Sequence, residues 1–134
     1  MLSWEVVTVT DLGARYVAAL AAKDTETLRG LFADDVYFRG LTPRRFWEAG
    51  SPDQVVHEVL YRWFAPTDVI EHVEHVDVGS VVDRRRVDYR FRVRNGDGIH
   101  TVEQRAYYDV DDAGRIATMH VMCAGYRPLE SAAA

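Results

Sequence analysis

Apolar residues recur at helical spacing at Leu12, Tyr16, Ala19 and Leu20, the one-sided stripe of an amphipathic helix. Thr10 or Asp11 can cap its start,. Asp24 offers a second cap, and Leu28, Leu31 and Phe32 line one face of a short second helix. Val36-Tyr37-Phe38 is a short β-rich run, and FRGLTPRRFWEAG after it reads as a loop. The helical stripe then returns. Ser51 suits a cap and Pro52 the first helical position,. Val56, Val59, Leu60, Trp63 and Phe64 form the buried face of this third helix, and Pro66 ends it.

The period then changes from helical to alternating. After a strand near 70–78, Val87, Tyr89, Phe91 and Val93 point one way while Arg86, Asp88, Arg90, Arg92 and Arg94 point the other,. Asn95-Gly96-Asp97-Gly98 is a hairpin turn signal,. If those residues close the hairpin, Arg90 faces Glu103, Asp88 faces Arg105, Tyr89 meets Gln104 and Val87 meets Ala106. Both charged pairs then have opposite signs, as cross-strand neighbours favour. A second turn at Asp111-Asp112-Ala113-Gly114 sets Gln104 against Val121 and Ala106 against Met119. In this register 87, 89, 91, 93, 104, 106, 108, 119 and 121 face the helices, while Arg86, Arg90, Glu103, Arg105 and His120 face away. Helices first and an antiparallel meander after predict an α+β fold.

A length of 134 residues suits one domain, expected over 1–130, with a disordered tail at 131–134,. The net charge of −5 gives no bulk attraction to nucleic acid or to anionic membrane, so neither is an expected partner,. The arginine stripe on the outer face of the 86–94 strand reads as a salt-bridged outer surface, because Asp88 and Glu103 are interleaved with it. A single cysteine, Cys123, forms no intramolecular disulfide,. The start, MLSWEVVTVTDL, lacks the basic region of a signal peptide,, and a cytoplasmic location is expected. No HExxH or CxxC spacing occurs, so no metal and no cofactor is expected,.

The segment RYVAAL…D…LFADD resembles the opening of ketosteroid isomerases in the NTF2-like, SnoaL-like superfamily, and GRIATMHV resembles their closing strands. The resemblance implies a cone-shaped, cystatin-like fold: three N-terminal helices on a curved, mostly antiparallel sheet, with a pocket between them. It also implies a homodimer through the sheet. The isomerase tyrosine that donates to the developing enolate oxygen falls on Tyr16. The position of its catalytic base falls on Gly40, and that of its second oxyanion donor on Ala106. Neither can hold a proton, and proton abstraction needs a base within reach. Steroid isomerisation by that mechanism is therefore excluded.

Several residues are candidates for the pocket. Tyr16 is the expected catalytic donor, and Tyr89, Gln104 and Tyr108 form a polar cluster with Met119, Val121 and Cys123 as apolar lining,. Each of these also has a plain reading as a satisfied core residue. His57 and Tyr61 share a helix face and either look into the cone or stay wet. Trp47, with Phe46, either caps the wide end or belongs to a ligand-binding loop in which Arg44 and Arg45 pair with a carboxylate or phosphate,. Three functions follow from these options. One is an enzyme of the lyase, isomerase or cyclase kind acting on a small hydrophobic or amphipathic metabolite. The others are a non-catalytic binder using the same pocket, and a dimerisation domain.

Overall fold

The computed structural model describes residues 11–129. The opening segment, the Thr10 alternative for the first cap and the 131–134 tail lie outside the described residues.

Helix α1 (Leu12–Ala22) begins on Asp11, whose carboxylate accepts the Ala14 N–H at 2.9 Å. It buries Tyr16, Val17, Ala19 and Leu20, the face set by the apolar spacing,. Lys23 turns left-handed (φ 52°), and Asp24 caps α2 (Thr25–Leu31) by accepting the Thr27 N–H. Phe32 does not continue the second helix as its spacing suggests; it is already extended and opens β1 (Phe32–Thr42). The expected loop after Phe38 is instead a hairpin, because β1 runs on to Thr42 and β2 (Arg45–Ala49) pairs back against it.

The third helical segment starts where Ser51 Oγ accepts the Gln54 N–H. It is π-wound over α3 (Gln54–Leu60) before one α-helical turn, α4 (Tyr61–Trp63). That winding sets Val55, Val56, Val59, Leu60 and Trp63 into the core.

Four long strands follow: β3 (Val69–Val81), β4 (Arg84–Asn95), β5 (Gly98–Val110) and β6 (Ile116–Pro128). The sheet order is β2-β1-β6-β5-β4-β3, with β1 and β6 parallel and every other pair antiparallel. The first hairpin has the expected register, with Arg90 opposite Glu103 and Tyr89 opposite Gln104. Its ion pairs are only partly those expected. Arg105 does grip Asp88, at 2.6 and 2.9 Å, but Arg90 turns away from Glu103 toward Glu74 of β3, at 3.5 Å.

The second hairpin departs from expectation by two residues. Gln104 pairs with Cys123 and Ala106 with Val121. Asp111 N–H donates to Arg115 O, so the turn takes one more residue, and an irregularity beside Val110 adds another. Because side chains alternate with a period of two, a shift of two preserves the expected alternation of faces. Tyr89, Phe91, Gln104, Ala106, Tyr108 and Met119 are all buried under the helices. No helix among the described residues is long and apolar enough to cross a membrane.

Candidate functional site

Three side chains lead from the core to a cavity between the β1–β2 hairpin tip and the end of α4. Tyr16 is fully buried on α1, its ring edge-on to Phe32 and Tyr89. Its hydroxyl lies 3.3 Å from the Tyr89 hydroxyl, and Tyr89 O–H donates to Gln104 Oε1 at 2.5 Å. A tyrosine has one proton to give. Tyr89 gives its own to Gln104, so in this chain Tyr16 is the donor and Tyr89 the acceptor. Burial raises the pKa of both phenols, so they stay protonated,.

Gln104 is the hinge of this arrangement. Its carbonyl oxygen is fixed by Tyr89, which turns the NH₂ the other way. Gln104 Nε2 is buried and has no acceptor among the described residues. Trp63 Nε1 is buried and has none among them either. An unsatisfied buried donor costs roughly 1–3 kcal/mol, so native proteins rarely keep one without an occupant. Both residues line one cavity of about 330 Å³, together with Thr42, Pro43, Arg44, Trp47, Cys123, Gly125 and Tyr126.

The cavity wall comes from segments distant in sequence. The β1–β2 hairpin tip supplies Thr42, Pro43 and Arg44. Trp47 stands edge-on to Trp63, ring centroids 6.1 Å apart, with its indole N–H on Thr42 Oγ1 at 3.0 Å. The Arg45 guanidinium covers the Trp47 ring at 3.7 Å, a cation–π contact that fixes the indole plane. Tyr126 O–H donates to the Trp63 carbonyl at 2.7 Å, tying β6 to the end of α4. Cys123 Sγ accepts the Gly125 N–H at 3.4 Å, and its thiol is buried in the wall.

Trp63 also accounts for Gly40. A Cβ at residue 40 would overlap the Trp63 ring. The position on which the resemblance places a catalytic base therefore has no room for any side chain. Nor do the described residues that line the cavity include a carboxylate or an imidazole.

The remaining candidates lie elsewhere. His57 is exposed, its ring edge-on to Tyr61, and the Tyr61 hydroxyl bonds Thr25 Oγ1 at 2.7 Å, so this pair faces α2 and solvent. Tyr108 sits near the start of α1 against Gly13, and burial raises its pKa. Met119 is fully buried core. Val121, though buried, lines a groove on the outer sheet face. Glu103 is exposed on that outer face and does not share an interior with Tyr16. Trp63 and Tyr126 were not among the sequence candidates. Trp63 is indistinguishable in the stripe from a core aromatic; only its indole N–H, which needs an acceptor when buried, gives a signal.

By sequence, the chain matches no family model and no curated protein. By structure it is similar to an LEH-like epoxide hydrolase of M. tuberculosis, at 16% identity and TM-score 0.59, over 81% of this chain and 76% of that one. It is similar to a Silicibacter pomeroyi protein with a cystatin-like fold, at 18% identity and TM-score 0.60, over 87% and 75%. A protein of the SnoaL-like family from Agrobacterium tumefaciens matches at 14% identity and TM-score 0.57, over 85% and 95%. At these identities the likeness is one of fold: three helical segments on a six-stranded curved sheet, the cystatin-like, NTF2-like architecture.

Proposed function

We propose that this NTF2-like fold serves to bind a small, largely apolar molecule carrying one acceptor oxygen, such as a ketone, in the cavity between the β1–β2 hairpin and the end of the third helical segment. One observation carries the reading. Gln104 Nε2 and Trp63 Nε1 are buried donors without acceptors among the described residues, and both residues line that cavity. An oxygen placed between them would satisfy two groups that otherwise remain a standing cost. The Trp47, Trp63 and Tyr126 rings supply the apolar contact area,. A volume of about 330 Å³ is at the small end of ligand pockets,.

The same pair of donors facing a carbonyl would stabilise an enolate, the demand of lyase, isomerase and cyclase chemistry. Epoxide hydrolysis is named for one of the similar structures. Turnover of these kinds calls for a base or a nucleophile-activating group, and the described residues of the lining supply neither carboxylate nor imidazole,. Binding without turnover is therefore the reading supported here. In it Tyr16 orients Gln104 through Tyr89 and does not touch the ligand.

The test is to purify the protein natively and identify any copurifying small molecule by mass spectrometry. The molecule, or a panel of cyclic ketones and their hydrocarbon analogues, is then titrated against indole fluorescence. Ketones should bind more tightly than hydrocarbons of equal size. Equal affinity for the two series would remove the role of the paired donors.

A further inference from the structure

The outer face of the sheet carries a groove of about 460 Å³ that is separate from the mouth cavity, lined by Arg39, Leu41, Phe46, Tyr107, His120 and Met122 among others. Its walls are apolar and open: Leu41 is 49% exposed, Phe46 51% and Met122 62%. Its floor is cationic. Arg39 is half-buried, and Arg86, Arg90 and Arg92 are the other half-buried arginines among the described residues. Arg86 meets Asp77 and Asp88, while Arg90 and Arg92 share Glu74. Among the described residues, Arg39 alone of these four has no carboxylate within salt-bridge distance. Glu48 lies opposite it in the strand register, but the Glu48 carboxylate accepts the Tyr37 O–H at 2.6 Å.

Arg39 is also held in place. Its Nη2 lies 3.0 Å from His120 Nδ1. Arginine only donates, so His120 Nδ1 must carry the lone pair, and the neutral ring has its proton on Nε2. Burial, with Arg39 and Arg84 beside it, lowers the His120 pKa against the opposing pull of Asp109, which favours that neutral form. The groove thus combines an apolar wall with a guanidinium that is positioned by His120, lies 5.8 Å from the Tyr37 ring centroid, and is paired with no carboxylate among the described residues.

We propose that this groove is a second binding site, for a small amphipathic carboxylic acid whose carboxylate pairs with Arg39 and whose chain lies along Leu41, Phe46 and Met122. A partly buried cation without a counter-charge is the complement of a monoanion, and the guanidinium fork matches a carboxylate edge-on. The apolar rim selects an acid with a hydrocarbon body over a free inorganic anion. This site does not depend on the function assigned to the mouth cavity.

Calorimetric titration of the whole chain with octanoate and with octanamide tests the proposal. Octanoate should bind at least about tenfold more tightly than the amide, as expected for a charge-assisted pair. Arg39→Gln should remove that preference. Met122→Asp should do the same; its side chain is mostly exposed, so folding is not at stake, and it sets a negative charge in the groove. Gln104→Leu, in the other cavity, should leave octanoate binding unchanged. The proposal is overturned if acid and amide bind alike, or if wild type shows no heat at millimolar octanoate. It is equally overturned if Gln104→Leu abolishes binding while Arg39→Gln does not. Sedimentation showing a dimer that Met122→Asp dissociates would assign the groove to a second copy of the chain and overturn the proposal too.

Discussion

Trp63 and Gln104, from α4 and β5, line the same cavity, and each carries a buried N–H donor, Nε1 and Nε2 respectively, with no acceptor among the described residues. Gln104→Leu keeps the volume nearly constant and removes one donor. Affinity for a ketone ligand should fall about tenfold, or roughly 1.4 kcal/mol, the size of one buried hydrogen bond. Stability should change little, because the variant loses the Tyr89 contact but also loses an unsatisfied donor. Fluorescence titration and urea unfolding on the same samples check both.

Tyr16 and Tyr89 separate a support role from a contact role. Tyr16→Phe removes a long, 3.3 Å contact in the core. It should cost about 0.5–1.5 kcal/mol of stability and leave ligand affinity within about twofold. Tyr89→Phe frees Gln104 Oε1, lets the amide turn over, and should weaken ligand binding more than Tyr16→Phe does. A Tyr16→Phe loss of affinity as large as that of Gln104→Leu would mean that the Tyr16 hydroxyl reaches the ligand directly.

Gly125 holds the cavity rim. Its φ is +88°, and a Cβ there would stand 2.9 Å from Pro43 Cγ at the hairpin tip. Gly125→Ala combines backbone strain with this overlap. It should destabilise by about 1–3 kcal/mol and push the β1–β2 tip outward. Urea unfolding reads the first effect, and Trp47 fluorescence the second. An unchanged unfolding midpoint would show that the rim yields freely.

His120 should give the stability curve an acid-side slope. Its pKa in the folded chain is lowered from 6.5 by burial and by Arg39 and Arg84. The unfolded chain therefore takes up a proton first as pH falls below about 6.5. Stability is fully present above that pH and is lost as pH falls toward the lower folded value. His120→Gln should flatten this part of the curve between pH 7.5 and 5.5 in chemical denaturation. An identical slope in the variant would assign the acid sensitivity to other groups.

The sequence by itself determined the face of nearly every residue. Spacing of 3.6 and of two, with caps at Asp11, Asp24 and Ser51, placed Tyr16, Val59, Tyr89, Phe91, Gln104 and Met119 inside and Glu103 outside. Those assignments depend on local periodicity and on a hairpin whose turn residues fix its register. They survive even the two-residue slip in the β5–β6 hairpin, because parity is unchanged. The β1–β2 hairpin was hidden, since its ladder is completed by the parallel pairing of β1 with β6, about eighty residues further along the chain,. The mouth cavity was hidden for the same reason. It joins Trp63, Gln104, Cys123 and the Thr42–Arg44 tip, which only long-range packing brings together. Whether a buried N–H finds an acceptor depends on what the rest of the chain leaves beside it. For Trp63 and Gln104 that was decided in three dimensions, as it was for Arg39, whose nearest candidate partner, Glu48, is taken by Tyr37.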